Sequence, residues 1–264
     1  MARGLAQRKV PVWFACLVLT GSLVWLVRII RYEAALSDLY ITKSACTYSD
    51  QKTVMVFLDA RAAKELHELG IAPTALMVEA NRVFAENKLP FRYDISRLRF
   101  RSWDSSRGEC KFFNAGFTDE QGCFMDELHP RYRQERSSSD PDVVVFITAT
   151  GAQDLSGKAY FNTAQGNGTI VMNIGSAPNR FLRSPRTNAV ARRFFTRRFA
   201  QLMLHEQGHL YGLPHSPEVY SIMKANLDYL GGPKTRFDPR SRMLLLQENK
   251  EWQHAREACT AAQR

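Results

Sequence analysis

Three histidines and one glutamate lie close together towards the C-terminal end of the chain, at a spacing that suits a metal ion. His205 and His209 are four residues apart, so on an α-helix they lie on one face, about 6 Å apart along the axis. Two neutral imidazoles placed in this way can share one Zn²⁺ at about 2.0–2.1 Å each. Glu206 would project beside the metal, where a carboxylate can take a proton from a water molecule.

A glycine and a third histidine complete this pattern. Gly212 can end the helix, because glycine adopts the left-handed conformation at no steric cost, and the turned chain would bring His215 back as a ligand. Three protein ligands with one position left for water is the catalytic form of a zinc site. The sequence therefore predicts His205, His209 and His215 as ligands of Zn²⁺ and Glu206 as the catalytic general base and acid.

This stretch resembles the H-E-x-x-H-x-x-G-x-x-H motif of the metzincin zinc metallopeptidases. Metzincins have a methionine in a tight turn beneath the metal, and Met223 follows His215 at a plausible distance. Ser216, directly after the third histidine, resembles the matrixin branch. The resemblance implies an α+β fold, a zincin domain with a mixed twisted sheet, an active-site helix and a C-terminal helix.

The resemblance also implies where a substrate lies and where this chain departs from the family. A peptide should add as a strand along residues 157–161, through main-chain hydrogen bonds. Cys46 lies in a short stalk and not in a prodomain of the matrixin kind, and Ala225 stands where astacins place a tyrosine. Neither the structural zinc and calcium loops of matrixins nor the cysteines of archaemetzincins are recognisable. These differences indicate a divergent, matrixin-like member.

An apolar run near the N-terminus predicts a membrane segment. Residues 10–27 contain no charged residue and span about 27 Å as a helix, close to the thickness of the bilayer core. Basic residues precede the run, so we expect a cytoplasmic N-terminus and an uncleaved signal anchor. A cleaved signal peptide, giving a secreted protein, and a buried soluble helix are the alternatives. The predicted organisation is a cytoplasmic tip and transmembrane segment over 1–31, a stalk over 32–51 and a catalytic domain over 52–264.

Cysteine usage agrees with a domain outside the cytosol, in the periplasm, a lumen or the extracellular space. Outside the apolar run the chain has four cysteines, which allow three disulfide connectivities. Cys110–Cys123 would close a polar loop, and Cys46–Cys259 would join the two ends of the domain. Four free thiols are the alternative.

The formal net charge of the chain is +10. Five basic residues precede or follow the apolar run without an acid among them, so the rest of the chain carries about half of this charge. Residues 180–198 contain seven arginines and no acidic residue. This stretch either faces anionic lipid or an acidic substrate, or forms a solvated surface. No recognition motif accompanies the charge, so nucleic acid is not an expected partner.

Hydrophobic periodicity and turn residues predict the elements that position the site. In chain order they are a strand over 53–58, a helix over 73–87, a half-exposed strand over 91–103, a central strand over 142–148, an edge strand over 157–161, a strand over 169–174, a helix from about 188 into the zinc motif and a last helix over about 237–257. The pair Asp238-Pro239 is expected to start this last helix. Asn167-Gly168 is read as a hairpin turn in preference to a glycosylation sequon.

The function predicted from these features is hydrolysis of a peptide bond in a peptide or protein substrate by a membrane-anchored zinc endopeptidase. Tyr211 and Tyr220 are candidates for the substrate pocket, with packing as the alternative role. A non-catalytic binding protein and a zinc amidase acting on a non-peptide or cell-wall amide remain alternatives. The sequence leaves the oligomeric state and the substrate open.

Overall fold

A computed structural model describes residues 45–103, 141–149, 156–160, 167–174, 189–225 and 232–264. Its elements in chain order are β1 (Gln51–Lys52), β2 (Val54–Asp59), α1 (Ala60–Glu68), α2 (Pro73–Glu86), β3 (Arg92–Tyr93), β4 (Arg99–Trp103), β5 (Val143–Thr148), β6 (Ser156–Tyr160), β7 (Gly168–Asn173), α3 (Ala189–Leu210) and α4 (Pro239–Ala262). Within these ranges no helix is long and apolar enough to cross a bilayer. The predicted membrane segment and the Cys110–Cys123 pair lie outside the described residues.

A five-stranded sheet of order β4-β2-β5-β7-β6 forms the centre of the fold. Its first four strands run parallel, and β6 pairs antiparallel with β7 at one edge. All six residues of β5 and all six of β7 are buried, as expected for parallel strands that are covered on both faces. The sheet is therefore mixed, with the predicted central strand at β5 and the predicted edge strand at β6.

The long helix α3 packs against the sheet edge and against α2. Most of its second half is buried, including residues on every side of the helix from 198 to 208. A helix that is buried all round lies inside the core. The predicted zinc motif therefore lies on one of the least exposed elements of the described chain, where neighbouring elements can fix its side chains.

The C-terminal helix α4 begins as the Asp238-Pro239 pair predicts. Asp238 is the N-cap, and its carboxylate accepts a hydrogen bond from the backbone N–H of Ser241, which satisfies one of the free amides of the first turn. Near the end of α4, Cys259 forms a disulfide with Cys46. This disulfide confirms the predicted link between the two ends of the domain.

Three local predictions differ from the structure. Helix α1 was not predicted, because it follows directly on β2 with no turn residue between them, and only Ala62 and Leu66 of its nine residues are buried. The predicted strand over 91–103 is divided by a 3₁₀ turn at Ile95–Arg97, since the Asp94 carboxylate accepts from the amide of Ser96.

The third difference concerns Asn167-Gly168. The predicted hairpin is present, since β6 and β7 pair antiparallel, but these two residues lie at the start of β7 and do not themselves form a two-residue turn. Gly168 is the first residue of β7 and pairs with Val143 of β5. The side chain of Asn167 is buried and accepts a hydrogen bond from Lys52 Nζ at 3.0 Å. Asn167 therefore has a long-range partner that local sequence does not reveal, and its burial argues against a glycan on it.

Candidate metal centre

The first two predicted ligands lie on the last two turns of α3. His205 is buried and His209 is partly exposed. Their ring centroids are 4.8 Å apart with nearly perpendicular planes, as the four-residue spacing of the helix predicts.

The turn at Gly212 brings the third histidine to the first two. Gly212 has φ +76°, and its backbone N–H donates to His209 O at 2.8 Å while the N–H of Leu213 donates to Gly208 O. These bonds are typical of a helix C-terminus with a left-handed glycine. His215 follows on the exposed side of the cluster, with its ring centroid 4.8 Å from that of His209.

The three imidazoles converge on a space that fits a zinc ion. His209 Nε2 lies 3.2 Å from His205 Nε2 and 3.2 Å from His215 Nε2, and the three ligand atoms all lie within 4.8 Å of one another. Tetrahedral coordination with bonds of about 2.0–2.1 Å requires nitrogens about 3.3 Å apart. Among the described residues no fourth histidine, cysteine or carboxylate joins the cluster. The donor set is therefore the three-ligand type that zinc enzymes use.

In two of these rings, a hydrogen bond at Nδ1 determines that Nε2 is the nitrogen that can bind a metal. His205 Nδ1 lies 2.8 Å from Ile222 O, and His209 Nδ1 lies 2.8 Å from Leu213 O. Carbonyl oxygens only accept, so each Nδ1 must carry the proton and donate. Each neutral ring then presents an Nε2 lone pair towards the other, and two lone pairs at 3.2 Å form no hydrogen bond. A cation between them resolves this conflict, and backbone carbonyls that orient ligand histidines are typical of metal sites.

Burial keeps these rings in the neutral form that a metal needs. Loss of solvent lowers the pKa of His205 to about 4, against the opposing effect of its bond to Ile222 O. The pKa of His209 is also lowered, first by burial. Both rings are therefore neutral at pH 7, and metal binding would not compete with a proton there.

Met223, the residue predicted for the turn beneath the metal, packs against α3 at Gly208. It is fully buried, and a Cβ added at Gly208 would overlap its Sδ and lie 3.0 Å from its Cε. The preceding residue, Ile222, supplies the carbonyl that holds His205. Met223 O also accepts from the backbone N–H of Ser216 at 2.7 Å. The turn around Met223 therefore contacts the helix, the first ligand and the residue after the third ligand.

Asp238 holds this turn against α4. Its Oδ2 accepts from the hydroxyls of Ser221 at 2.8 Å and Ser241 at 2.7 Å. Burial opposes ionisation, but hydrogen bonds from Ser241, Ser221 and Ser216 outweigh it and lower the pKa of Asp238 to about 2. One carboxylate thus links the start of the last helix to the loop that carries the third ligand and Met223.

Glu206 points towards the edge strand of the sheet. It is 4 % exposed, and its carboxylate lies directly against the backbone of Gly157 in β6. The general base predicted from the motif and the strand predicted to receive a substrate therefore meet at one place in the fold.

Other predicted site residues have different environments. Tyr211 is buried in the core with its ring centroid 4.3 Å from that of Phe91, so it packs and does not line a pocket. Tyr220 is 44 % exposed. In the described part of the arginine-rich stretch, Arg197 pairs with Glu79 at 3.3 Å and Arg198 is 1 % exposed, so this part is not simply a solvated face.

Sequence reasoning missed Gly208 and Asp238 as parts of the site, and it placed Gly157 in the substrate strand without its contact with Glu206. Gly208 occupies a position of the motif at which any residue type is allowed. The need for a small residue against Met223 is the signal that could have identified it. Asp238 was recognised only as the start of a helix. Gly157 had no local signal, because its partner Glu206 is 49 residues away in sequence.

Comparisons with known proteins add two solved structures of low similarity. No family model matches the chain, and no curated protein matches it in sequence. An archaemetzincin from Methanopyrus kandleri is 15% identical over 76% of this chain and 97% of its own, with a TM-score of 0.45. A zinc-dependent peptidase from Methanocorpusculum labreanum is 18% identical over 73% and 99%, with a TM-score of 0.42.

Proposed function

We propose that this protein is a zinc-dependent endopeptidase of the metzincin type. The single observation that carries the proposal is the convergence of His205, His209 and His215, with two of the rings held by backbone carbonyls so that Nε2 faces the common space. Such an arrangement leaves lone pairs unsatisfied unless a cation binds between them. Ser216 supports the matrixin-like subclass within this proposal, and the buried Met223 supports the metzincin type.

The chain's own residues would divide the reaction between them. Bound Zn²⁺ would supply Lewis acidity, which polarises a carbonyl and makes water more acidic. Glu206 would accept the proton of the attacking water and later deliver it to the leaving amine. The burial of Glu206 keeps its carboxylate apart from bulk water, so the proton stays in the site between the two transfers.

The substrate would bind as an added strand along β6. This strand is the last in the sheet order, and among the described residues its outer edge pairs with no other strand. A free strand edge presents backbone donors and acceptors in a row, which suits an extended peptide. Because Glu206 lies against Gly157 of the same strand, a peptide on this edge would bring its backbone close to the general base.

We further propose that the domain is held outside the cytosol by the N-terminal apolar segment. The disulfide between Cys46 and Cys259 supports this location, since disulfides persist in oxidising compartments. In sealed vesicles with the cytosolic face outward, an added protease should remove the N-terminal tip and leave the domain intact until detergent opens the membrane. Digestion of the domain in the sealed vesicles would contradict the proposal.

Substitution of the general base tests the enzymatic proposal. The full-length protein, purified in detergent, should cleave a denatured general protein substrate, and a chelator should abolish this cleavage. Glu206→Gln should retain bound zinc and lower the cleavage rate by about 100-fold or more. Glu257→Gln is the matched control, because the side chain of Glu257 is 70% exposed on α4 and takes no part in the site.

The rival functions predict other outcomes of the same assay. A non-catalytic binding protein would show no turnover on any unfolded protein although zinc is bound. A zinc amidase would cleave a non-peptide amide, or a cell-wall amide, and leave the denatured protein intact. Equal cleavage by Glu206→Gln and the wild type would contradict the assigned role of Glu206.

A further inference from the structure

Gly157 of the edge strand leaves no room for any side chain beside Glu206. A Cβ placed on Gly157 would lie 2.7 Å from Glu206 Cγ and 2.8 Å from Cδ, with Oε1 closer still. Carbon atoms in van der Waals contact are about 3.5–4.0 Å apart. Three atoms of the glutamate side chain therefore occupy the space that any other residue at position 157 would need.

The strand that carries Gly157 is held in place, so it cannot easily move away from the carboxylate. Gly157 pairs with Met172 of β7 in an antiparallel ladder, and β7 is fully buried and pairs in turn with β5. Glu206 is on the buried part of α3. Its side chain has rotatable bonds, whereas the two backbones are fixed by their neighbours.

We propose that Gly157 is a positioning residue for the general base, which rests on the proposed function. The bare backbone of Gly157 forms the surface on which the Glu206 carboxylate lies, and this contact restricts the side chain to one position beside the three histidines. A methyl group at position 157 would be accommodated by rotation of the glutamate away from that position. The fold and the histidine cluster would persist, while the base would no longer reach the attacking water.

Four variants of the full-length protein separate this role from a general effect on folding. They are Gly157→Ala, Glu206→Asp, the double variant with both changes, and Gly232→Ala as the matched control. A Cβ on Gly232 meets no atom within 4 Å, and Gly232 is not among the glycines with positive φ. Glu206→Asp shortens the base by one methylene, which frees space opposite position 157.

We expect Gly157→Ala to cause a loss of kcat that depends on the length of the side chain at position 206. Gly157→Ala should lower kcat by about 10- to 100-fold, with zinc content unchanged and KM within about threefold, because general-base catalysis is worth about 10²–10⁴ in rate. The double variant should lie within about threefold of Glu206→Asp alone. An equal further loss from Gly157→Ala in the Glu206→Asp background would overturn the proposal, as would an unchanged kcat in Gly157→Ala alone. Gly232→Ala should match the wild type.

A second readout does not depend on catalysis. In chelated, metal-free protein, Gly157→Ala should lower the melting temperature when Glu206 is present and leave it unchanged or higher in a Glu206→Ala background, because removal of the glutamate removes the overlap. Such coupling is measured as a double-mutant cycle. The same decrease in melting temperature in both backgrounds would overturn the proposed contact between Gly157 and Glu206. If the coupling is present but no variant cleaves any peptide, the proposed function fails while the steric relation between Gly157 and Glu206 stands.

Discussion

Replacement of Asp238 by asparagine should weaken the domain in a pH-dependent way. The side chain is 4 % exposed and accepts hydrogen bonds from Ser241 and Ser221. These bonds lower its pKa from the ordinary 3.8 to about 2 in the folded protein. Asparagine keeps the shape of the side chain but has no charge and only one acceptor oxygen. The variant therefore removes the ionised form that the folded state favours.

The difference between these pKa values sets the magnitude. A decrease from 3.8 to about 2 corresponds to about 2 kcal/mol of stability in favour of the folded state. Because the folded pKa is the lower one, this contribution is fully present above about pH 4 and is lost as the pH falls to about 2. The free energy of unfolding of Asp238→Asn should thus be lower than that of the wild type by about 2 kcal/mol at pH 7 and almost equal to it at pH 2.

Urea denaturation of chelated, metal-free protein at a series of pH values would measure this difference. Removal of the metal separates the effect of Asp238 from the loss of zinc at low pH, and protonation of the histidines cancels in the difference between the two proteins. Glu251→Gln serves as a control, since Glu251 is an exposed carboxylate of the same helix. A difference between wild type and Asp238→Asn that stays constant from pH 7 to pH 2 would refute the reasoning, because the loss would then not come from the charge.

Three further perturbations have expected outcomes. Replacement of Cys46 and Cys259 by serine opens a loop closed across 213 residues. The free energy of unfolding should fall by roughly 5 kcal/mol in the chain-entropy account, measured by denaturation without reductant, and a value equal to that of the wild type would contradict this. Gly212→Ala should cost about 1 kcal/mol through backbone strain alone, since φ is +76° and the space is open, and a null effect on denaturation would argue against the left-handed turn. Gly208→Ala should destabilise by about 1–3 kcal/mol by overpacking against Met223, and Met223→Ala should relieve most of that loss in the double variant.

The sequence of a short segment was enough to predict those parts of the fold that depend mainly on the residue types within that segment. Gly212 takes the left-handed conformation, Asp238 caps α4, and the apolar run of β5 becomes the buried central strand. In each case the residue type alone favours one conformation, whatever lies around it. The Cys46–Cys259 pair could be predicted only as one of three connectivities, because pairing depends on where distant segments meet.

The rest depended on contacts between distant segments. Lys52 donates to Asn167 across 115 residues, a contact that no local signal predicts. Gly157 meets Glu206, and Ile222 O orients His205, although neither pair shares a sequence pattern. The motif therefore predicted which side chains are assembled, whereas the groups that orient them became visible only once the sheet edge, the helix and the turn at Met223 were placed together.

The metal content of the purified protein tests the central claim most directly. After dialysis against metal-free buffer, elemental analysis of the wild type should find about one zinc ion per chain. His209→Ala should lose it, whereas His254→Ala should keep it, because the His254 side chain is 81% exposed on α4. A folded wild-type protein that contains no zinc and takes up none when zinc is supplied would contradict the account, and so would a zinc content unchanged by the loss of His209.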